Sequence, residues 1–257
     1  MSNAAAVSIQ NLTKQFGGIL AVDHISMEVK PGEIHGVIGP NGAGKTTLFN
    51  LITGIYTPTE GQVLVDGERI TGLSPHTIAN AGIARTFQNI RLFKELSCFE
   101  NVVTACQNEV KYNFLQGCLR TPKYYREERR IQKKAQAILE SIDLWAVHDQ
   151  KSKNLPYGQQ RKLEIARALA MDPKLLLLDE PAAGMNEDET NQLAGFIRQI
   201  RDQYQVTIIL IEHHMDLIME ICDAIDVFNF GKKLASGTAE AIQNNPEVIE
   251  AYLGVDD

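Results

Sequence analysis

The fold is decided by the stretch Gly39-Pro40-Asn41-Gly42-Ala43-Gly44-Lys45-Thr46-Thr47, which matches the phosphate-binding pattern G-x-x-x-x-G-K-S/T. Glycines allow such a loop to point successive backbone N–H groups at phosphate oxygens, and the helix that follows directs its positive end to the same place. Lys45 adds a charge for the β and γ phosphates, and the Thr46 hydroxyl suits Mg²⁺. The stretch therefore predicts that all nine residues bind a nucleoside triphosphate with Mg²⁺.

The flanking residues favour this interpretation over an ordinary glycine-rich turn. Residues 34–38 form an apolar run that predicts a short strand entering the loop, and residues 47–52 predict a helix leaving it. A strand, a loop and a helix in this order are the context that the phosphate-binding pattern requires.

Length and composition predict a protein with enough chain for a large core. It has 257 residues, of which 44% are hydrophobic and 22% charged, so we expect one large domain or a core with a subdomain. Its four cysteines include no C-x-x-C pair, which favours a reducing compartment. No uncharged apolar stretch approaches about 20 residues, and the start of the chain lacks the features of a signal peptide. We therefore expect a chain that neither spans a membrane nor is exported.

The net charge of -7 argues against a protein that binds nucleic acid through a broad positive surface. Lys and Arg nevertheless concentrate in residues 120–134. Their spacing with Glu127 and Glu128 predicts a solvated helix face rather than a phosphate-binding stripe.

Hydrophobic patterning divides the chain into sheet and helical parts. Alternation predicts antiparallel strands at residues 7–16, 21–29 and 62–65, with turns at Gly17-Gly18 and Asp66-Gly67. Helical spacing at 99–106 and 131–142 predicts a helical insertion, with loop or short helices at 108–125. Apolar runs at 174–178 and 206–211 are typical of buried parallel strands.

These patterns predict an α/β fold, a P-loop nucleotide-binding core that carries an antiparallel β subdomain and an inserted helical subdomain. We expect one domain over residues 1–257. Its nucleotide-binding core would cover 1–88 and 157–257, and its helical subdomain would cover 89–156.

A pair of carboxylates follows the first of the buried parallel strands. Asp179-Glu180-Pro181 lies at the carboxyl end of the run 175–178, where open α/β sheets bind their ligands. Alone it would be a strand-to-turn junction. Together with the phosphate loop, it predicts Asp179 as a Mg²⁺ ligand through water and Glu180 as the general base or positioning group for the attacking water.

Taken in order, the phosphate loop, Gln88, Tyr157-Gly158-Gln159, Asp179-Glu180 and His213 resemble the motifs of an ABC transporter ATPase. The resemblance runs from about Val7 to Gly254. It implies an ABC-type ATPase fold and a pair of cassettes that face head to tail. Each ATP would lie between the phosphate loop of one cassette and the signature stretch of the other.

Three residues receive roles from this resemblance. Phe16 lies where the family carries an aromatic residue that stacks on adenine, although a core residue at a strand end is the alternative. Gln88 matches the glutamine that reaches Mg²⁺ and the attacking water and joins core to helical subdomain; without the motif it would be a surface glutamine. His213 matches the histidine that touches the γ phosphate. The resemblance thus implies Thr46, Gln88 and Asp179 around Mg²⁺, and Glu180, His213 and Gln88 in catalysis.

The signature stretch departs from the usual Leu-Ser-Gly-Gly-Gln of the family. It reads Leu155-Pro156-Tyr157-Gly158-Gln159, so the serine hydroxyl is missing and a tyrosine replaces the first glycine. A helix predicted over 159–170 can still point its positive end at phosphate, with Pro156 near its start. We therefore expect the backbone N–H groups of Gly158 and Gln159 to make the contact.

Residues 157–161, 179–184 and 245–254 together resemble one subgroup, the ATP-binding subunits of bacterial branched-chain amino acid importers, and 115–125 resembles an insertion in the longer of their two ATPase subunits. The resemblance implies an ATP hydrolase that powers uptake of branched-chain amino acids from the cytoplasmic face of the cell membrane, where it is peripheral. The implied partners are a homologous second ATPase subunit or a second copy, two permease subunits held near residues 88–100 and, indirectly, a solute-binding protein. No nucleic acid is implied.

Three alternatives remain open from the sequence. The same ATPase could serve a transporter for urea or another solute, in import or in export. A soluble ABC protein that acts on ribosomes or DNA is a second class, although such proteins usually join two cassettes or carry long coiled coils. A regulatory binding module is the third, if Pro156 and Tyr157 disable hydrolysis.

Overall fold

The glycine-rich stretch follows a buried strand of a six-stranded sheet in the computed structural model, which describes residues 5–107, 110 and 113–253. The strands in chain order are β1 Val7–Phe16, β2 Ile19–Val29, β3 Ile34–Ile38, β4 Glu60–Val65, β5 Glu68–Arg69, β6 Ile83–Arg85, β7 Leu175–Asp179, β8 Thr207–Ile211, β9 Ala224–Asn229 and β10 Lys232–Gly237. The helices are α1 Lys45–Ile52, α2 Pro75–Asn80, α3 Cys98–Cys106, α4 Phe114–Cys118, α5 Pro122–Ser141, α6 Tyr157–Leu169, α7 Glu187–Tyr204, α8 Met215–Ile221, α9 Ala239–Gln243 and α10 Pro246–Leu253.

The chain forms two compact units, one of residues up to Gln88 together with those from Lys174, and one of residues 89–173. In the first unit, the larger sheet has the order β10-β9-β3-β8-β7-β6, and all its neighbouring pairs are parallel except β10 with β9. The smaller sheet is antiparallel, in the order β2-β1-β4-β5. A core of buried apolar residues, most of them aliphatic, from both sheets and α1 joins them. The predicted α/β fold and its antiparallel strands are confirmed.

The parallel strands follow from their composition. β3, β7 and β8 are buried at every residue, as expected of strands that are covered on both faces. The carboxyl ends of these three strands meet at one edge of the sheet, and the phosphate loop, Asp179-Glu180 and Glu212-His213 all begin there.

The second unit is helical among its described residues, with α3, α5 and α6 packed together. Helix α5 begins at Pro122, nine residues before the predicted start, because the Thr121 side chain caps it by accepting a hydrogen bond from the Tyr124 N–H. Of the stretch 108–125, for which loop or short helices are predicted, residues 108, 109, 111 and 112 lie outside the described part, and the short helix α4 and the start of α5 occupy much of the remainder.

The observed units and the predicted subdomains share the boundary after Gln88 and differ at the other end. Helix α6 groups with residues 89–156, whereas the sequence places it in the nucleotide-binding core. Its aliphatic face packs on α3 and α5, which is a contact that helical periodicity alone does not show. The functional division into core and helical subdomain stays a prediction. Among the described residues, no helix combines the length and the apolar character that a membrane span requires.

A buried histidine between two carboxylates supports the strand that leads into the phosphate loop. On β3, His35 is 3% exposed, with its Nδ1 2.7 Å from Glu33 Oε1 and its Nε2 3.2 Å from Asp226 Oδ2. Burial by itself would lower the pKa of His35, but the Asp226 and Glu33 carboxylates raise the pKa to about 9. Lys233 Nζ lies 3.7 Å from the other oxygen of Asp226. At neutral pH a histidinium therefore ties β3 to β9.

We predict that His35→Gln lowers the free energy of unfolding at neutral pH by about 3 kcal/mol, since it leaves two buried carboxylates without their main counter-ion. A folded-state pKa above the ordinary value means that the contribution of His35 is fully present below about pH 6.5 and is lost as the pH rises through about 9. The difference in stability between wild type and variant should therefore shrink over that window in urea unfolding. His76→Gln, at an exposed histidine, is the control; a difference that is constant with pH would contradict the assignment.

Candidate active site

The phosphate loop keeps its shape through close backbone contacts that leave no space for side chains at two glycines. Gly39 has a φ of +148°, and a Cβ built on it would lie 2.1 Å from the Phe228 carbonyl oxygen. Gly44 has a φ of +101°, and its Cβ would lie 2.4 Å from the Ala21 carbonyl oxygen. The loop is also tied to the β9–β10 turn, because the Gly231 N–H donates to the Ala43 carbonyl at 3.1 Å. Glycine is therefore required at both positions.

Lys45, the first residue of α1, holds the loop from inside. It is 5% exposed, and its Nζ donates to the carbonyl oxygens of Gly39 at 2.6 Å and Pro40 at 2.9 Å. Burial lowers the pKa of Lys45, and the nearby charges of Glu180 and Asp179 oppose part of that shift. The ammonium group thus lies where the predicted phosphate would take over its hydrogen bonds.

A cavity of about 160 Å³ lies over this loop. The residues that line it are Ala21, Asn41, Gly42, Ala43, Gly44, Lys45, Thr46, Thr47, Glu180 and His213. The structure therefore brings together the predicted phosphate ligands, the predicted base and the predicted γ-phosphate histidine.

The Glu180 carboxylate lies between two predicted catalytic partners. Gln88 Nε2 donates to its Oε2 at 2.6 Å, and His213 Nε2 lies 3.1 Å from its Oε1. Glu180 has the left-handed φ of +46°, and its N–H donates to the Ile211 carbonyl at 2.9 Å. A left-handed conformation is uncommon for glutamate and turns the chain sharply at the strand end. The arrangement fixes the carboxylate at the cavity wall.

Asp179 lies beside the cavity and is paired with an arginine that the sequence reasoning did not assign. Arg85 Nη2 lies 2.6 Å from Asp179 Oδ2, and Arg85 Nη1 donates to Asn50 Oδ1 at 2.7 Å. The guanidinium also lies over the rings of Phe49 and Phe87, with its carbon 5.4 Å and 5.1 Å from their centroids. Arg85 therefore positions the last residue of β7 relative to α1.

The predicted Mg²⁺ ligands Thr46, Gln88 and Asp179 offer a hydroxyl, an amide and a carboxylate, which are the hard oxygen donors that Mg²⁺ prefers. Among the described residues, no cluster of three or more His, Cys, Asp or Glu side chains forms a metal site. The donor set fits an ion held mainly by nucleotide phosphates and water rather than by a protein cage.

Glu212 holds the backbone after β7 and after β8, the two strands that lead to the predicted catalytic residues Glu180 and His213. It was not identified from the sequence. Its side chain is 1% exposed and accepts the N–H of Ala182 at 2.6 Å, of His213 at 2.9 Å and of His214 at 3.3 Å. A glutamate directly after the apolar run Ile208-Ile209-Leu210-Ile211 was the available signal, since such a carboxylate must find donors when it is buried.

Phe16 and Asn186 occupy the first unit outside the lining of this cavity. Phe16 is 41% exposed and makes an edge contact with Tyr56, with ring centroids 5.1 Å apart, so a ring surface remains available to a base. Asn186 caps α7, because its side chain accepts the Glu189 N–H and its own N–H donates to the Glu189 side chain.

The signature residues Tyr157, Gly158 and Gln159 form the first turn of α6 in the second unit. The helix begins at Tyr157, two residues before the predicted start, with Pro156 as its cap residue. Helix geometry leaves the first N–H groups without partners inside the helix. Arg161 is fully buried, and its Nη2 donates to the Tyr157 hydroxyl of this turn at 3.4 Å while its Nη1 donates to Glu164 Oε2 at 2.7 Å.

Comparison with known proteins places these features in a family context. The family profile described as ABC transporter matches residues 22–183, and a profile described as branched-chain amino acid ATP-binding cassette transporter matches residues 232–257. Gly254, the last residue of the predicted subgroup motif, falls within that match and lies outside the described residues.

Two curated relatives are similar over nearly the whole chain. The high-affinity branched-chain amino acid transport ATP-binding protein BraF of Pseudomonas aeruginosa is 48% identical over 96% of this chain and 97% of its own. LivG of Escherichia coli K12, with the same description, is 46% identical with the same coverage. Among solved structures, the ADP conformation of MJ1267, an ATP-binding cassette of an ABC transporter, has a TM-score of 0.85 and 31% identity and covers 98% of this chain and 99% of its own.

We predict that Arg85→Gln destabilises the protein by about 3–5 kcal/mol, because it leaves the buried Asp179 carboxylate unpaired. The double variant Arg85→Gln/Asp179→Asn should be less destabilised than the sum of the two single variants. Urea unfolding of all four proteins measures this coupling. Additive effects would show that the ion pair does not join β6 to β7.

Proposed function

Because this chain belongs to the ABC transporter family of ATP-binding proteins, we propose that it is the ATP-hydrolysing subunit of an importer for branched-chain amino acids. The observation that carries the proposal is the placement of Glu180. It lies at the wall of the phosphate-loop cavity, in contact with both Gln88 and His213. This is the position from which a carboxylate can act on a water that attacks the γ phosphate.

The residues divide the work of hydrolysis as follows. The phosphate loop and α1 hold the triphosphate through backbone N–H groups, and Lys45 exchanges its loop carbonyls for phosphate oxygens. Mg²⁺, when bound with ATP near Thr46, Asp179 and Gln88, would neutralise charge that develops on the phosphates. Glu180 accepts a hydrogen bond from the water and orients it, while Gln88 fixes the carboxylate and His213 contacts the γ phosphate. Phe16 would stack on the adenine ring.

The proposal includes a head-to-tail pair of ATPase subunits. The backbone N–H groups at the start of α6 form the positive helix end that would cover ATP held by the phosphate loop of a partner. They would do so although this chain lacks the serine of the usual signature. ATP favours the closed pair because it contacts both subunits only in that state. The partner would be a homologous ATPase subunit or a second copy.

Closure of the pair would drive two permease subunits from one access state to the other on the cytoplasmic side of the membrane. Hydrolysis would then reset the transporter, and a solute-binding protein would deliver the amino acid. The amino acid assignment rests on the full-length similarity to BraF and LivG and on the carboxyl-terminal match at 232–257. A 32% identical relative from Haemophilus influenzae is described as a lipopolysaccharide export protein, LptB, so the ATPase alone does not select the solute.

We predict that Glu180→Gln retains ATP binding, lowers ATP turnover by about 100-fold or more and favours the closed pair, since the amide cannot polarise water. Turnover is measured as phosphate release by the complex with its permease and solute-binding protein, and closure as nucleotide-dependent association. Glu240→Gln, an exposed site on α9, is the matched control. Native turnover in the Glu180 variant would overturn its role. Stimulation of the wild-type complex by solutes other than leucine, isoleucine and valine would overturn the amino acid assignment.

A further inference from the structure

The second unit carries a concentration of positive charge that opposes the charge of the whole chain. Residues 120–134 contain seven Lys or Arg against two Glu, a local charge of +5 in a chain whose net charge is -7. Most of this segment belongs to one helix, α5. The nucleotide site does not account for these charges, because none of them lines its cavity or is among its predicted ligands.

Helix α5 separates its charged and apolar residues onto opposite faces. Ile131, Ala135, Ile138 and Leu139 are buried and recur at helical spacing. The opposite side carries Tyr125, Arg126, Arg129, Arg130 and Lys133, which line an open groove of about 720 Å³ together with Pro122 and which we call the basic face. At 3.6 residues per turn, positions 122, 126, 129 and 133 fall on one line along the helix.

The carboxylates near the basic face do not neutralise it. Glu127 pairs with Arg130 at 3.2 Å, which leaves the exposed Arg126, Arg129 and Lys133 without an ion pair to any described residue. Three neighbouring cations without ion pairs repel one another, which is unfavourable, and no contact among the residues that the structure describes compensates for that repulsion. A solvated helix face, as the sequence predicts, would normally intersperse both signs.

We propose that the basic face of α5 binds the anionic phospholipid headgroups of the membrane at which the transporter works. The inference rests on the proposed function, which brings the protein to a membrane surface. A basic amphipathic helix face with several Lys and Arg is the feature that anionic lipid surfaces attract. Tyr125, which is 49% exposed at one end of the groove, adds an aromatic ring suited to the headgroup region.

The charge of the remaining chain favours a lipid surface over nucleic acid. With the segment 120–134 set aside, the other residues carry a net charge of -12, which would repel a long polyanion that extends past the basic face. A membrane surface instead contacts one face of the protein, and repulsion from the rest is screened beyond a Debye length of about 8 Å at physiological salt. Lipid contact would thus offset the repulsion of a net-negative subunit from an anionic membrane.

The test is sedimentation of the full chain with phospholipid vesicles, without nucleotide or permease. We expect binding to vesicles of phosphatidylcholine with about 30% phosphatidylglycerol and little binding to pure phosphatidylcholine. Binding should fall when salt rises from about 0.1 M to about 1 M, because the Debye length drops from about 10 Å to about 3 Å. The variant Arg126→Gln/Arg129→Gln/Lys133→Gln should bind anionic vesicles about 100-fold more weakly, at about fivefold for each cation removed.

The matched control neutralises three exposed cations of the first unit, in Lys30→Gln/Arg69→Gln/Lys174→Gln, and should bind as wild type does. A single variant, Arg129→Gln, with an expected loss of about fivefold, covers the case in which the triple variant folds poorly. Equal binding to neutral vesicles, retention of binding by the triple variant or equal loss in the control would overturn the proposal. ATP binding should be unchanged in every variant, so failure here leaves the ATPase assignment standing.

Discussion

The close approach of backbone to backbone around the phosphate loop is the constraint on which the site depends. Gly39 lies against the Phe228 carbonyl and Gly44 against the Ala21 carbonyl, so the loop touches β9 on one side and β2 on the other. Packing at this distance excludes even a methyl group. The larger sheet and the antiparallel sheet therefore both define where the loop N–H groups point, although neither contributes a catalytic side chain through those contacts.

The remaining site residues are arranged by polar contacts rather than by apolar packing, and these contacts are buried at Asp179 and Glu212 and exposed at Gln88 and His213. Arg85 holds Asp179, Glu212 holds the turns after β7 and β8, and Gln88 with His213 holds Glu180. Each contact joins the end of one strand to a neighbouring strand or loop. The buried contacts of Asp179 and Glu212 fix the strand ends on which the catalytic carboxylate is placed, which suits a site where small displacements of a carboxylate matter.

The sequence predicts the parts of this structure that depend on local pattern, and it misses the parts that depend on long-range contact. The phosphate loop, the alternating strands and the apolar runs of β7 and β8 carry their own signals. Strand β6 is three residues long and becomes a strand only by pairing with β7, and the β9–β10 hairpin turns at Phe230-Gly231 with little local signal. Arg85 and the contact of Glu212 with Ala182 were missed for the same reason, since their partners lie 94 and 30 residues away in the chain. The roles of Lys45, Thr46, Asp179 and Glu180 come from the motif pattern, and those of Gln88 and His213 come from the family resemblance. The structure adds that Gln88 and His213 both contact Glu180.

The hydrogen bonds of Lys45 to Gly39 and Pro40 have a consequence for how nucleotide enters. Because the Lys45 ammonium group holds the phosphate loop in shape before a ligand binds, the loop loses little conformational entropy when the nucleotide binds. When phosphate binds, its oxygens replace the two loop carbonyl oxygens as the hydrogen-bond acceptors of Lys45 Nζ. Loading of a nucleotide therefore requires little rearrangement of the loop itself.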